Sequence, residues 1–255
     1  MRSLLALLAI LSASPASPIV MRHDLPDEAY RADAGDYPFL FVLYRTKEGY
    51  GDCVGTLISP QWAITAAHCT DVEKLRAGIA GGGYSVDIGG GKNAIVRVVT
   101  YPSPDKERPV DLALLKLRSA VTVVKPVKLY RSPDEAGREV IFAGWGDPGN
   151  GVTGAAKGDG KFRAAENRVE RVEPGRIIFT FDAPATGRAL PSEGISGPGD
   201  SGGPALVMTA QGWATMGVSS AQRIFGDKEG LYGAEELYVR VSAYADWIEA
   251  TVNGK

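Results

Sequence analysis

Nine short runs of apolar and β-branched residues recur along this chain, with turn-forming glycine and proline between them. They fall at 39–44, 56–58, 94–99, 112–117, 140–143, 177–181, 205–208, 216–219 and 237–241. Each is too short for an ordinary helix and the right length for a strand. Many short strands that must bury a face, joined by frequent turns, point to an all-β sandwich or barrel. The 32 glycines and 16 prolines supply the turns. One segment breaks the pattern. After Ser242, which reads as an N-cap, Tyr244, Trp247, Ile248 and Val252 fall near helical spacing, so a single C-terminal helix is expected. Two triple-glycine runs, 81–83 and 89–91, bracket an expected hairpin, and 146–160 reads as a polar, glycine-rich loop with no strand in it. A division into halves 17–126 and 127–255 is expected near Lys125-Pro126.

The N-terminus has its own logic. Met1-Arg2 gives a positive start, residues 4–11 are unbroken apolar, and Ser14-Pro15-Ala16 offers the small residues of a cleavage site. This predicts a signal peptide over 1–16 and a secreted or periplasmic protein. The run is far shorter than the ~20 residues a membrane span needs, so no stable membrane insertion is expected. A net charge of -2 with scattered basic residues argues against a nucleic-acid partner. The two cysteines, Cys53 and Cys69, are read most simply as one disulfide in an exported chain. A metal site that adds His68 is the alternative, although C-x15-C with one histidine lacks the paired spacing of a zinc site.

The stretch 197–204, GPGDSGGP, crowds six glycines and prolines around Asp200-Ser201. A serine hydroxyl becomes a nucleophile only with a nearby base, a group that orients the base, and donors for the oxyanion. There are two histidines. His23 sits in a charged stretch near the expected mature terminus and reads as a surface residue; His68 sits among small residues beside Cys69. Gly-Asp-Ser-Gly-Gly also fits the nucleophile elbow of α/β-hydrolases, but that fold needs its histidine after the serine, and none follows Ser201. The remaining order is His68, an acid, then Ser201.

Several motifs in that order carry a family resemblance. The segment 53–69 ends in Thr-Ala-Ala-His68-Cys69, Asp111 opens Asp-Leu-Ala-Leu-Leu-Lys-Leu, Gly144-Trp145-Gly146 follows, then Gly199-Asp200-Ser201-Gly202-Gly203-Pro204, and last the segment 238–248. From about Ile19 to its end the chain resembles the chymotrypsin/trypsin-like serine proteases. The resemblance implies two six-stranded antiparallel β-barrels with a C-terminal α-helix, and hydrolysis of protein or peptide substrates without a cofactor. It makes Ser201 the nucleophile, His68 the general base, Asp111 its orienter, and the amides of Gly199 and Ser201 the oxyanion hole. It pairs Asp200 with the amine of a processed terminus at Ile19. Here Met21-Arg22 replace the family's usual two glycines, and trimming of Ser17-Pro18 is required to expose Ile19.

The resemblance also places the substrate pocket. Ile195 falls at its floor, Ser220 at the serine that contacts the triad acid and the substrate backbone, and Gln222 on its wall. A carboxylate of Glu236 on the back wall would restore a basic preference. The adjacent Glu235-Glu236 pair reads instead as exposed loop acids, which leaves small or medium apolar side chains as the expected substrates. Gly197 stands where a cysteine is usual. No metal is implied: the segment 78–91 has one acid, Asp87, where a calcium loop needs several. A monomer is expected. A non-catalytic binding module on the same fold and an esterase are the rival readings.

Overall fold

The computed structural model describes residues 19–45 and 51–254; the expected signal peptide lies outside them. In chain order the strands are β1 (Ile19–Met21), β2 (Leu40–Arg45), β3 (Gly51–Ser59), β4 (Trp62–Thr65), β5 (Tyr84–Ile88), β6 (Gly91–Thr100), β7 (Ala113–Leu117), β8 (Lys128–Leu129) and β9 (Glu139–Gly144). They continue with β10 (Pro148–Asn150), β11 (Gly154–Ala155), β12 (Arg163–Glu173), β13 (Arg176–Thr180), β14 (Gly194–Ile195), β15 (Pro204–Thr209), β16 (Gly212–Arg223) and β17 (Glu235–Arg240). Helix α1 (Glu73–Ala80) lies between β4 and β5, and α2 (Val241–Val252) follows β17.

All nine expected strand runs are strands. The first six-stranded sheet runs β2-β3-β4-β7-β6-β5 and curls until β5 approaches β2. In the second, β9, β12, β13, β17, β16 and β15 form an antiparallel ring, because β15 pairs with both β16 and β9. Strand β8 is added parallel to β16. Register shifts in β3, β6, β12, β15 and β16 mark where the ladders bend, which is how a bulge helps a sheet close. One apolar cluster spans both barrels: Leu57, Ile64 and Leu114 of the first share it with Leu206, Val218 and Val239 of the second, and Ile248 of α2 joins them. A second cluster fills the second barrel, where Phe142 meets Phe179 edge-on and stacks on Tyr238.

Four expectations are corrected. Among the described residues there are two α-helices, not one. Helix α2 begins at Val241, with Arg240 in the N-cap position, so Ser242 lies inside it and gives its hydroxyl to Glu135. The segment 146–160 contains β10 and β11, which form because β1 inserts beside them: Ile19 pairs with Pro148 in parallel, while Val20 pairs with Ile195 of β14 in antiparallel. Of the two glycine runs, Gly89-Gly90 makes the hairpin tip between β5 and β6; the run 81–83 follows α1.

Candidate active site

Strand pairing brings the first two site residues together. β4 and β7 are antiparallel with Thr65 opposite Ala113. The chain just after β4 and just before β7 therefore meets at one end of the barrel, and these are the positions of His68 and Asp111. His68 opens a short 3-10 turn, His68–Thr70, and its backbone amide donates to Asp111 Oδ1 at 2.8 Å. Its ring Nδ1 lies 2.7 Å from Asp111 Oδ2, which also accepts from Ser220 Oγ at 2.7 Å. Burial works to raise the Asp111 carboxyl, but hydrogen bonds from the His68 ring and amide, with that of Ser220, outweigh it and hold the group below the ordinary carboxylate range. The same bond, working against desolvation, raises the His68 imidazole above its ordinary 6.5, helped by the charges of Asp111 and Asp52. With Asp111 ionised, the shared proton sits on Nδ1, and Nε2 of the neutral ring presents a lone pair.

The nucleophile loop is tied to both barrels. Val54 N donates to Ser201 O at 2.8 Å, Gly202 N to Ser219 O at 2.9 Å, and Ser219 N to Gly203 O at 2.8 Å. Cys53 and Cys69 form a disulfide, which commits both sulfurs to each other and decides the cysteine question against the metal alternative. Cys69 Sγ lies 3.5 Å from Ser201 O and 3.6 Å from His68 Nε2, so the ring and the Ser201 backbone are neighbours. Among the described residues no hydrogen bond joins the Ser201 hydroxyl to His68. Nor do the amides of Gly199 and Ser201 donate to any acceptor there. Gly199 has φ +94°, a left-handed conformation that side chains disfavour, and it turns these amides out of the local ladder.

Asp200 points the other way, into the protein, and is 3% exposed. Its Oδ1 accepts from Gly146 N at 2.7 Å and its Oδ2 from Gly197 N at 3.0 Å; the Ile19 backbone amide also donates to it. Burial pushes the carboxyl up to about 6 despite these bonds. A Cβ at Gly146 would stand 2.6 Å from Asp200 Cγ, which explains the glycine there by close approach. Ile19 and Val20 are fully buried. Where the resemblance leads one to expect two glycines, Met21 is a paired strand residue opposite Gly194, and Arg22 Nη1 donates to the carbonyls of Leu190 and Pro191.

The substrate-pocket expectations fare unevenly. Ile195 is fully buried and packs with Val20, Phe181 and Ala234. Glu236 is not an exposed loop acid: it lies in β17 at 2% exposure, because strand alternation turns Glu235 outward and Glu236 inward. Its Oε2 accepts from Ser196 Oγ and its Oε1 from Gln222 Nε2 at 2.6 Å. Ser196 is also 3.3 Å from Ser219 Oγ. Sequence reasoning missed Ser196 and Ser219; their nearness to Ile195 and Ser220 in the chain was the available signal.

A fold of two barrels with a His–Asp–Ser220 hydrogen-bond set beside a glycine-rich serine loop defines the class. The family model described as Trypsin matches residues 28–248. Among similar proteins, cationic trypsin-3 of Rattus norvegicus is 29% identical over 262 residues, covering 97% of this chain and 98% of the relative. Trypsin of Sus scrofa is 27% identical over 239 residues, covering 88% and 94%. An uncharacterized peptidase of Corynebacterium glutamicum (strain R) is 26% identical over 242 residues, covering 94% and 75%. The chain belongs to the trypsin family. Membership supports a serine peptidase and implies peptide substrates. Among the described residues no helix is long and apolar enough to cross a membrane.

Proposed function

We propose that the protein is an exported serine endopeptidase that works through Ser201, His68 and Asp111. The Ser201 hydroxyl attacks the scissile carbonyl carbon as its proton passes to His68 Nε2. The carbonyl oxygen becomes an oxyanion held by the amides of Gly199 and Ser201. Collapse breaks the C–N bond, the proton on His68 goes to the leaving amine, and water repeats the sequence on the acyl-enzyme to release the acid. Asp111 keeps the imidazole in the required tautomer and stabilises the imidazolium, and Ser220 and the His68 amide fix Asp111 in turn. The observation that carries the reading is the orientation of His68 by Asp111, next to two amides with no acceptor among the described residues. The substrate side chain on the acyl side lies between the Ser196 segment and Gln222, with Ile195 as apolar backing and Glu236 innermost.

Asp200 needs a cationic partner, since a deeply buried carboxylate held by amides alone is costly. We assign that partner to the α-amine of Ile19 after Ser17-Pro18 is removed. N-terminal sequencing of active protein is expected to begin at Ile19; full activity with Ser17 first would refute the pairing. The catalytic reading is checked by peptide hydrolysis. Asp111→Asn is expected to lower kcat by about 10⁴-fold, the scale for triads of this kind, and Ser201→Ala to remove acyl-enzyme formation altogether. Hydrolysis undiminished in Ser201→Ala would end it.

A further inference from the structure

Arg22 stands where the resemblance leads one to expect glycine, and its side chain is put to use. That side chain is 16% exposed. Its Nε and Nη2 donate to Asp24 Oδ1 and Oδ2 at 3.0 and 2.8 Å, which fixes the plane of the guanidinium. Nη1 is left to donate to the carbonyls of Leu190 at 2.8 Å and Pro191 at 3.1 Å. The backbone takes part as well: Arg22 N donates to the Tyr30 hydroxyl, whose own proton goes to Glu193 O. His23, the next residue, reaches a different segment. Its amide donates to the Tyr232 hydroxyl at 2.9 Å, and its ring Nδ1 lies 2.8 Å from the same oxygen.

Both contacts end on the walls of the acyl-side pocket. Residues 190–193 form a turn closed by Glu193 N on Leu190 O at 3.2 Å and by Leu190 N on Glu193 Oε2 at 2.6 Å. The chain leaves that turn through Gly194 and Ile195, which pair with Met21 and Val20, and then reaches Ser196. On the other wall, Gln222 Oε1 accepts from Gly230 N at 2.7 Å, two residues before Tyr232, whose ring packs on Phe181. Two adjacent residues of the N-terminal segment therefore brace the two segments between which the substrate side chain lies. The groups assigned to the reaction have bonds of their own. His68, Asp111 and Ser220 bond to one another, and Asp200 takes its donors from Gly146, Gly197 and Ile19.

We propose that Arg22 is a positioning residue for the acyl-side pocket: it holds the Leu190-Pro191 segment, and through it Ser196, at the separation from Gln222 that a substrate side chain needs. The assignment rests on the endopeptidase reading. The contact suits arginine in particular. A planar fork serves a carboxylate on one edge and two carbonyls on another, whereas lysine has a single nitrogen and glycine no side-chain donor. Among the described residues Pro191 O has no donor besides Arg22 Nη1, so loss of the guanidinium leaves that carbonyl to water and frees the turn to move outward. The effect falls on binding of the substrate rather than on the chemical step, because the reacting groups keep their own bonds. It is also separate from the terminal amine: the amine of Ile19 answers to Asp200, and the guanidinium of Arg22 answers to the pocket wall.

The test is the split between KM and kcat for one peptide substrate. Arg22→Gly, which supplies the residue that the resemblance leads one to expect, is expected to raise KM about tenfold and to leave kcat within about twofold. Arg22→Lys keeps the charge without the fork and is expected to fall between. Asp24→Asn removes the charged partner that orients the guanidinium and is expected to raise KM by a smaller factor, about threefold. Asp24 lies at the surface, so this variant carries the test if Arg22→Gly does not fold. A merely structural role would lower the unfolding temperature and leave KM unmoved. A KM that these variants do not change, or a loss that falls equally on kcat, overturns the assignment while the endopeptidase reading stands. Failure of the unaltered protein to cleave any peptide overturns the endopeptidase reading instead. Calorimetric binding of a peptide to Ser201→Ala protein then decides the positioning role. A Kd about tenfold weaker in the Ser201→Ala, Arg22→Gly double variant supports it. An equal Kd, or no binding to either protein, overturns it.

Discussion

Glu135 and Glu236 are both buried acids of the second barrel, and they are treated in opposite ways. Glu135, 0% exposed, receives Arg240 Nε at 2.8 Å on one oxygen and Arg240 Nη2 at 3.0 Å on the other, with the Ser242 hydroxyl beside them. Burial works to raise its carboxyl, but Arg240 and Ser242 win and hold it below the ordinary range. Glu236 lies on the same strand as Arg240, four residues earlier and on the same face, yet has neutral donors alone. Strand β17 can thus present a cation to a buried acid, and does so for Glu135. The contrast separates an acid paired with a cation from an acid held by neutral donors alone.

Removing each acid in turn has the largest expected effect. Glu135→Ala strands a largely buried Arg240 and is expected to cost about 3–5 kcal/mol, the scale for one half of a buried pair. Glu236→Gln keeps the size, and with its amide nitrogen donating to the Ser196 hydroxyl and its oxygen accepting from Gln222 Nε2 it is expected at pH 8 to be neutral or stabilising. Denaturant midpoints check both; equal losses would erase the distinction. The next largest effect is the pH dependence of stability. Glu236 binds its proton more tightly when folded, with a value of about 7 against an ordinary 4.5, so stability is expected to fall as pH rises from 4.5 to 7 and then level off. That shift corresponds to roughly 3 kcal/mol. Asp200 contributes in the same direction while Ile19 offers it only a backbone amide, so the measured quantity is the difference between wild type and Glu236→Gln. Glu135 has the opposite sign: its contribution is present above 4.5 and is lost as pH falls through its lowered folded value.

The smallest effect belongs to the His68–Asp111 pair. The His68 imidazole is raised above 6.5 by Asp111, so the acid limb of kcat/KM is expected to have its midpoint above 6.5. An NMR titration of the His68 ring in Ser201→Ala protein checks the same value without turnover. A midpoint below 6.5 would mean that desolvation outweighs the Asp111 bond.

The chain declares some of this in its letters and conceals the rest. His68, Asp111 and Ser201 were singled out because each sits in a short motif, and of the three the fold brings His68 and Asp111 within hydrogen-bond reach. The cysteine pair left two readings open, and only the fold decided between them. Strand β12 was missed because its sequence, RAAENRVERVE, is polar and charged; its inward residues Ala165, Asn167 and Val169 appear as a face only once β9 and β13 flank it. β10 and β11 were missed for a related reason, since β10 pairs with β1, more than 120 residues away in sequence, and β11 pairs with β10. Glu236 was misread because two adjacent acids look like a solvated loop. Its burial follows from the alternation of β17, and its partners Ser196 and Gln222 lie 40 and 14 residues away.

The central claim is that Ser201 is an activated nucleophile, and one measurement addresses it directly. Mature protein is treated with a serine-directed phosphonate, and the adduct is mapped by mass spectrometry. The account predicts a single adduct on Ser201, formed far more slowly in His68→Ala. An intact Ser201 after prolonged treatment of active protein, or labelling that does not depend on His68, would contradict it.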